Sequence, residues 1–243
     1  MPLVLCYHAV SDGWNVSLAV TTEQLRDQLE LLVARGYRGV TFHEAVTSPP
    51  AGRTVAITFD DGFASVLDLA FPILSSLGLV ATVFVVTDFV DEGRPFDWFE
   101  TTTVEESEVR PLTWSELGEL AAAGWEIGSH TRTHPRLPRL DDHSLEVELR
   151  GSREACERAL DYPCRSLAYP FGDVDERVVA AARAAGYEAA AALPLGVPGS
   201  SALLWPRTGV YRKDSLRRFR LKVSPTVSRL RETLLPVEKL VRA

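Results

Sequence analysis

One unit recurs four times in this chain and restricts its fold more than any other feature. It consists of an amphipathic stretch of helical period, a glycine, and then a short run of branched, aromatic or alanine residues. The glycines are Gly36, Gly78, Gly124 and Gly186, and the runs after them span 37–41, 79–86, 125–128 and 187–192. A residue just past a helix end commonly takes the left-handed φ that glycine adopts without strain, and a short loop into a strand follows. Each unit therefore predicts a helix that stops, turns and feeds a strand.

Other signals agree with this reading. Thr21-x-x-Gln24 and Thr113-x-x-Glu116 read as capping boxes, and Leu25, Leu29, Leu32 and Val33 share one helical face. Three further runs, 3–7, 54–59 and 166–169, suit strands buried on both faces. Alternating β and α units with right-handed crossovers make an open doubly wound sheet or a closed barrel. In either, the C-terminal ends of the strands gather on one face, and the chemistry is expected there.

The segments that follow the predicted strands carry the suspicious side chains. They are Tyr7-His8, Asp60-Asp61-Gly62, the run from His130 to His134, and Pro170-Phe171-Gly172. His130 and His134 are four apart, so in a helical turn both imidazoles would face one way. Two histidines and one carboxylate make a facial set for Zn²⁺ or a similar ion, with positions left open for water and a substrate carbonyl. The other carboxylate can then act as general base on a water whose pKa the metal lowers, which is amide or ester hydrolysis. Spacing alone does not decide which aspartate has which role.

Three stretches, Thr58 to Gly62, Ser129 to His134 and Ala168-Tyr169-Pro170-Phe171-Gly172, resemble in order and spacing the successive motifs of the polysaccharide deacetylases. This is the NodB-homology or carbohydrate esterase 4 family, and the approach from Pro111 to Gly128 resembles it too. The resemblance covers roughly residues 1 to 215. It implies a distorted β/α barrel of about seven parallel strands in one domain, with Asp60 as general base. It further implies Asp61, His130 and His134 as metal ligands, and the Phe171 N–H, with the metal, as stabiliser of the oxyanion.

Two departures from the family pattern stand out. Ala168 occupies the place where many members have an arginine that holds the catalytic aspartate. Arg207, in Trp205 to Val210, is the expected substitute, resembling a late motif of the subgroup that deacetylates exopolysaccharides; Arg165 is a weaker candidate. The late histidine that serves as general acid is also missing, since no histidine follows His143. His8, which resembles the N-terminal histidine of circularly permuted members, is the expected replacement. His43 and His143 are given no role.

These features predict a hydrolase that removes N-acetyl groups from a hexosamine-containing saccharide or glycoconjugate. Zn²⁺ is the expected ion, with Co²⁺ or Ni²⁺ able to satisfy the same ligands. The same barrel could act on a formamide, a cyclic amide or an O-acetyl ester, or persist as a carbohydrate-binding relic. A phosphatase using the paired aspartates with Mg²⁺ would need oxygen ligands and a phosphate cradle; the histidine pair disfavours it, and the sequence has no glycine-rich phosphate loop.

Composition sets the remaining expectations. With 46% hydrophobic and 24% charged residues the chain is ordinary globular protein, and no Gly/Ser or Pro-rich linker divides it. Residues 1–215 are expected to form the barrel, and 216–243 a basic amphipathic extension packed on it. The net charge of −7 argues against a nucleic-acid binder. From Arg212 onward, however, ten Lys/Arg face Asp214, Glu232 and Glu238. With Leu216, Phe219, Leu221, Leu230, Leu234 and Leu235 interleaved, that tail suits peripheral contact with a membrane surface or an acidic partner. The start has no basic region before its short apolar run, so the chain as given reads cytoplasmic. Three cysteines without a CxxC pair read as buried or idle thiols. The connection 88–110, with Phe96, Trp98 and Phe99, is expected to reach over the active face, where its aromatics could stack on a sugar.

Overall fold

The computed structural model describes residues 2–48, 52–98, 106–193 and 201–224. Its strands in chain order begin with β1 (Leu3–Tyr7), β2 (Ala9–Val10), β3 (Ala19–Val20) and β4 (Arg38–Val40). They continue with β5 (Thr54–Phe59), β6 (Thr82–Val85), β7 (Glu126–Ser129) and β8 (Ser166–Ala168), and end with β9 (Ala189–Ala192), β10 (Trp205–Pro206) and β11 (Thr208–Gly209). The helices are α1 (Thr22–Ala34), α2 (Phe42–Thr47), α3 (Phe71–Ser76) and α4 (Thr87–Glu92) in the first half. The second half adds α5 (Trp114–Ala122), α6 (Asp142–Leu160), α7 (Glu176–Ala184) and α8 (Leu216–Lys222).

All pairings in the main sheet are parallel, in the order β10-β9-β8-β7-β6-β5-β1-β11. Only Arg207 separates β10 from β11, so one pass of chain lies against β9 and then switches to β1. The Arg207 N–H bonds the Ala192 carbonyl at 3.0 Å and the Val210 N–H bonds the Cys6 carbonyl at 2.9 Å. Seven passes therefore almost close a ring. β4 distorts it by pairing with Thr54–Ala56 of β5, on the flank where β6 pairs with Thr58 and Phe59.

Strand alternation separates two cores. Leu5, Tyr7, Val55, Ile57, Phe59, Val83, Val85 and Leu167 pack outward on the helices, while Val4, Ala56, Phe84, Ala168, Ala189 and Ala191 fill the barrel. The interior is narrow. A Cβ on Gly128 would lie 2.7 Å from the Phe84 ring, so glycine there makes room for that aromatic side chain inside the barrel.

The predicted helix ends are present. Gly36, Gly78, Gly124 and Gly186 have φ of 76°, 65°, 87° and 93°, and both capping boxes form. On α1, Leu25, Leu29 and Leu32 are fully buried, but Val33 is exposed, because the helix touches the barrel along a narrower stripe than the sequence pattern spans. Residues 88–110 are not one long connection, since α4 takes up the start of that stretch. Among the described residues no helix is long and apolar enough to cross a membrane.

Candidate active site

Asp60 and Asp61 leave β5 in different ways. The Asp60 N–H still bonds the Tyr7 carbonyl at 2.9 Å, so its side chain continues the inward alternation of Ala56 and Thr58. Asp61 then turns at φ 71° and Gly62 at φ 85°, which brings the Asp61 carboxylate back over the barrel mouth. A Cβ on Gly62 would lie 3.0 Å from the Val85 side chain, a tight contact that adds to the strain any other residue would meet at φ 85°.

His130 and His134 converge, but not through a helix. The segment is an irregular turn with φ 70° at Thr131 and 62° at His134. Its backbone groups are held from outside. The amides of Thr87 and Asp88, opening α4, donate to the carbonyls of Thr131 and Arg132 at 3.1 and 3.0 Å. From α6, Glu148 accepts the Arg132 and Thr133 amides at 2.8 and 3.0 Å and the Thr133 hydroxyl at 2.7 Å. Asp88 takes the Arg132 guanidinium in a bidentate pair at 3.0 Å, and a Cβ on Gly151 would meet the Arg132 stem at 2.7 Å. His130 Nδ1 donates to the Ala168 carbonyl at 2.8 Å, which points Nε2 at the site.

The outcome is a tight set. Asp61 Oδ1 is 3.6 Å from His130 Nε2 and 3.6 Å from His134 Nε2, and the ligand atoms lie within 4.8 Å of one another. Asp61 Oδ1 is buried and has no hydrogen-bond partner among the described residues. An isolated buried carboxylate oxygen is costly, and a cation between it and two imidazoles removes that cost. Burial, with the Asp60 charge second, pushes the Asp61 carboxyl well above its usual range. Burial lowers His130 and pulls His134 down to about 2, so both rings are neutral, the form that ligates. The donor set fits a divalent ion.

Asp60 is held on its other side. Arg207, fully buried where the last pass changes partner, donates to Asp60 Oδ1 and Oδ2 at 2.6 and 2.7 Å and to Thr58 Oγ1 at 2.9 Å. Burial alone would raise the Asp60 carboxyl, but the Arg207 charge, then His130, keep it well below the carboxylate range. Arg165 does not take part, since it precedes β8 at the opposite mouth, 3.8 Å from Glu188. His43 also contacts Glu188, at 2.8 Å, and His143 lies exposed in α6.

The remaining candidates line the rim. His8 follows β1, half-buried beside Asp60; its Nδ1 has no partner among the described residues, and burial pulls the imidazole down to about 4. Phe171 sits at φ 60° with its ring 4.6 Å from that of His134. Trp98 stacks on His134 at 4.7 Å. Phe96 is fully buried against Phe63, so it cannot stack on a sugar, and Phe99 lies outside the described residues. Of the tail, Leu216, Phe219 and Leu221 are described; Leu230, Leu234 and Leu235 lie outside.

Two contributors escaped the sequence reading. Cys6 is buried, as expected of a cysteine without a CxxC pair, but its place in the site was not foreseen: its Sγ lies 3.4 Å from Asp60 Oδ2. Glu148 left only a faint signal, a carboxylate sharing the helical face of Leu145, Leu149 and Ser152.

Comparison with known proteins follows the geometry. The sequence profile of the family described as Polysaccharide deacetylase matches residues 47–190. The Bacillus subtilis (strain 168) protein YxkH, named for the polysaccharide deacetylases, is 26% identical over 93% of this chain and 72% of its own. A poly-β-1,6-N-acetyl-D-glucosamine N-deacetylase of Staphylococcus epidermidis is 26% identical over 70% of this chain, which spans 60% of that relative's length. The solved Streptococcus pyogenes deacetylase PplD, in complex with acetate, superposes with a TM-score of 0.79 over 92% of this chain and 98% of its own, at 22% identity. At that identity it speaks for the fold.

Proposed function

Because the chain belongs to the polysaccharide deacetylase family, we propose that it is a divalent-metal hydrolase that removes N-acetyl groups from a hexosamine-containing saccharide or glycoconjugate and releases acetate. The observation that carries this reading is the unpartnered Asp61 Oδ1 between two imidazole nitrogens, beside a second carboxylate clamped by Arg207. The relative that is named as a poly-β-1,6-N-acetyl-D-glucosamine N-deacetylase supports the substrate class.

Asp61, His130 and His134 would hold the ion, zinc by donor type, with cobalt or nickel able to replace it. When bound, such an ion lowers the pKa of a water toward ~7 and polarises the acyl oxygen. Asp60, kept ionised by Arg207, takes a proton from the attacking water as its oxygen bonds to the acyl carbon. The Phe171 N–H donates to the oxygen on which negative charge builds. His8 rests neutral and relays that proton to the leaving nitrogen. The carbon–nitrogen bond breaks, giving a free amine and acetic acid, which ionises to acetate. Beyond a barrel of residues 1–215, the sequence of the extension 216–243 carries a cationic surplus that suits an acidic partner or a membrane surface.

Metal analysis of the purified protein, paired with acetate release from a panel of N-acetylated oligosaccharides, tests the proposal. One divalent ion per chain and metal-dependent acetate release are expected. A protein that binds no ion, or releases no acetate when loaded, would overturn it.

A further inference from the structure

A second group of ligand atoms lies directly against the first. Cys6, His8 and Asp60 each offer one such atom, and the three lie within 4.8 Å of one another. They share no residue with the Asp61, His130 and His134 set. The two groups adjoin, since Asp60 Oδ2 is 4.0 Å from His130 Nε2.

The geometry suits an ion. Cys6 Sγ and Asp60 Oδ2 are 3.4 Å apart. Tetrahedral zinc, with bonds of about 2.3 Å to sulfur and ~2.0 Å to oxygen, holds those two atoms roughly 3.5 Å from each other. A cation can therefore take the place of the thiol proton with little movement of either group. His8 offers one ring nitrogen to this group, and its Nδ1 is buried and without a partner among the described residues. Sulfur, nitrogen and oxygen together favour zinc, cadmium or cobalt over magnesium or calcium.

We propose that Cys6, His8 and Asp60 form a second, inhibitory site for a thiophilic divalent cation. The inference rests on the roles given above to Asp60 and His8, because an ion here occupies both the base and the proton relay. Binding forms a cation–sulfur bond and releases the thiol proton to solvent, with no change of oxidation state. Arg207 already donates to both oxygens of Asp60, and an ion in the first site adds further positive charge. The second ion consequently binds more weakly than the first and acts only in excess.

The test is a cobalt(II) titration of the metal-free protein, followed by thiolate-to-cobalt charge-transfer absorption. The first equivalent is expected to bind without that band and the second to bring it. Cys6→Ser, and Cys6→Ala as a second variant, keep the first equivalent and lose the band, which also excludes Cys156 and Cys164 as its source. In parallel, excess zinc should lower wild-type turnover more than ~100-fold at saturation, the low end of what general acid–base catalysis contributes. The ratio of turnover at excess to that at stoichiometric zinc stays near unity in Cys6→Ser, whatever its absolute rate. A single equivalent with no thiolate band, or a band that survives in both variants, overturns the proposal. Persistence of the first equivalent in Asp61→Asn would instead strike the primary site.

Discussion

The two mouths of the barrel use the same backbone conformation to opposite ends. Where helices turn into strands, most of the left-handed positions among the described residues are glycines, Gly36, Gly78, Gly124 and Gly186. Where strands run out, four of the five non-glycine residues of positive φ among the described residues gather: Asp61, Thr131, His134 and Phe171. The fifth, Asp161, ends α6. A left-handed L-residue costs about 1–2 kcal/mol, so the first mouth, Asp161 apart, avoids the strain and the second concentrates it. The second mouth needs side chains at those sharp turns, and the surrounding hydrogen bonds force them to hold.

If the strained mouth exists to aim chemistry, the largest effect should come from a change there that leaves the backbone alone. Asp60→Asn is expected to lower turnover about 10³-fold while metal content stays at one ion per chain. Steady-state kinetics beside metal analysis checks this, and an unchanged rate would break the distinction between the two aspartates. A smaller effect is expected one layer back. Glu148→Gln keeps the shape but loses an acceptor for the amides that hold the histidine turn. Metal affinity should weaken by about 10–100-fold, read by competition with a chromophoric chelator. Equal affinity would mean that α4 and Thr131 hold His134 without it.

The mouths also differ in what acid does to them. His8, His130 and His134 all crowd one mouth with lowered pKa values, whereas His43 at the other faces Glu188. A group whose folded pKa lies below its unfolded value contributes stability above the latter and loses it as pH falls. For His8 the window runs from 6.5 down to about 4. In the metal-free protein the share of this loss due to His8 should be about 2 kcal/mol across that window, allowing for its partial exposure, and His8→Asn should flatten the slope by that share, leaving the part due to His130 and His134. Urea unfolding at stepped pH measures it.

The same contrast explains what could be read from the sequence. The glycine mouth was legible because the constraint is local: a helix end demands a left-handed residue, and glycine announces it four times. Asp61, His130 and His134 were legible as residue types, but not as geometry. Helical spacing suggested a shared face for the histidines, whereas the turn is set by Glu148, Asp88 and the α4 amides, contacts 15 to 44 residues distant in the chain. Cys6 was missed for a related reason. Its partner Asp60 is 54 residues away, and only the parallel register of β1 with β5 makes them neighbours.

The smallest expected effect lies at the glycine mouth, and it tests whether that mouth is only structural. A Cβ at Gly78 would meet nothing within 4 Å, so Gly78→Ala isolates the cost of φ 65° from any clash. The substitution should destabilise the protein by about 1 kcal/mol, lowering the melting temperature by roughly 2–4 °C. Turnover and metal affinity should not change, because the strand that follows is fixed by its pairing with β5 and β7 before it reaches the active face. A loss of activity at unchanged stability would mean that strain travels along the strand, and the two mouths would no longer be independent.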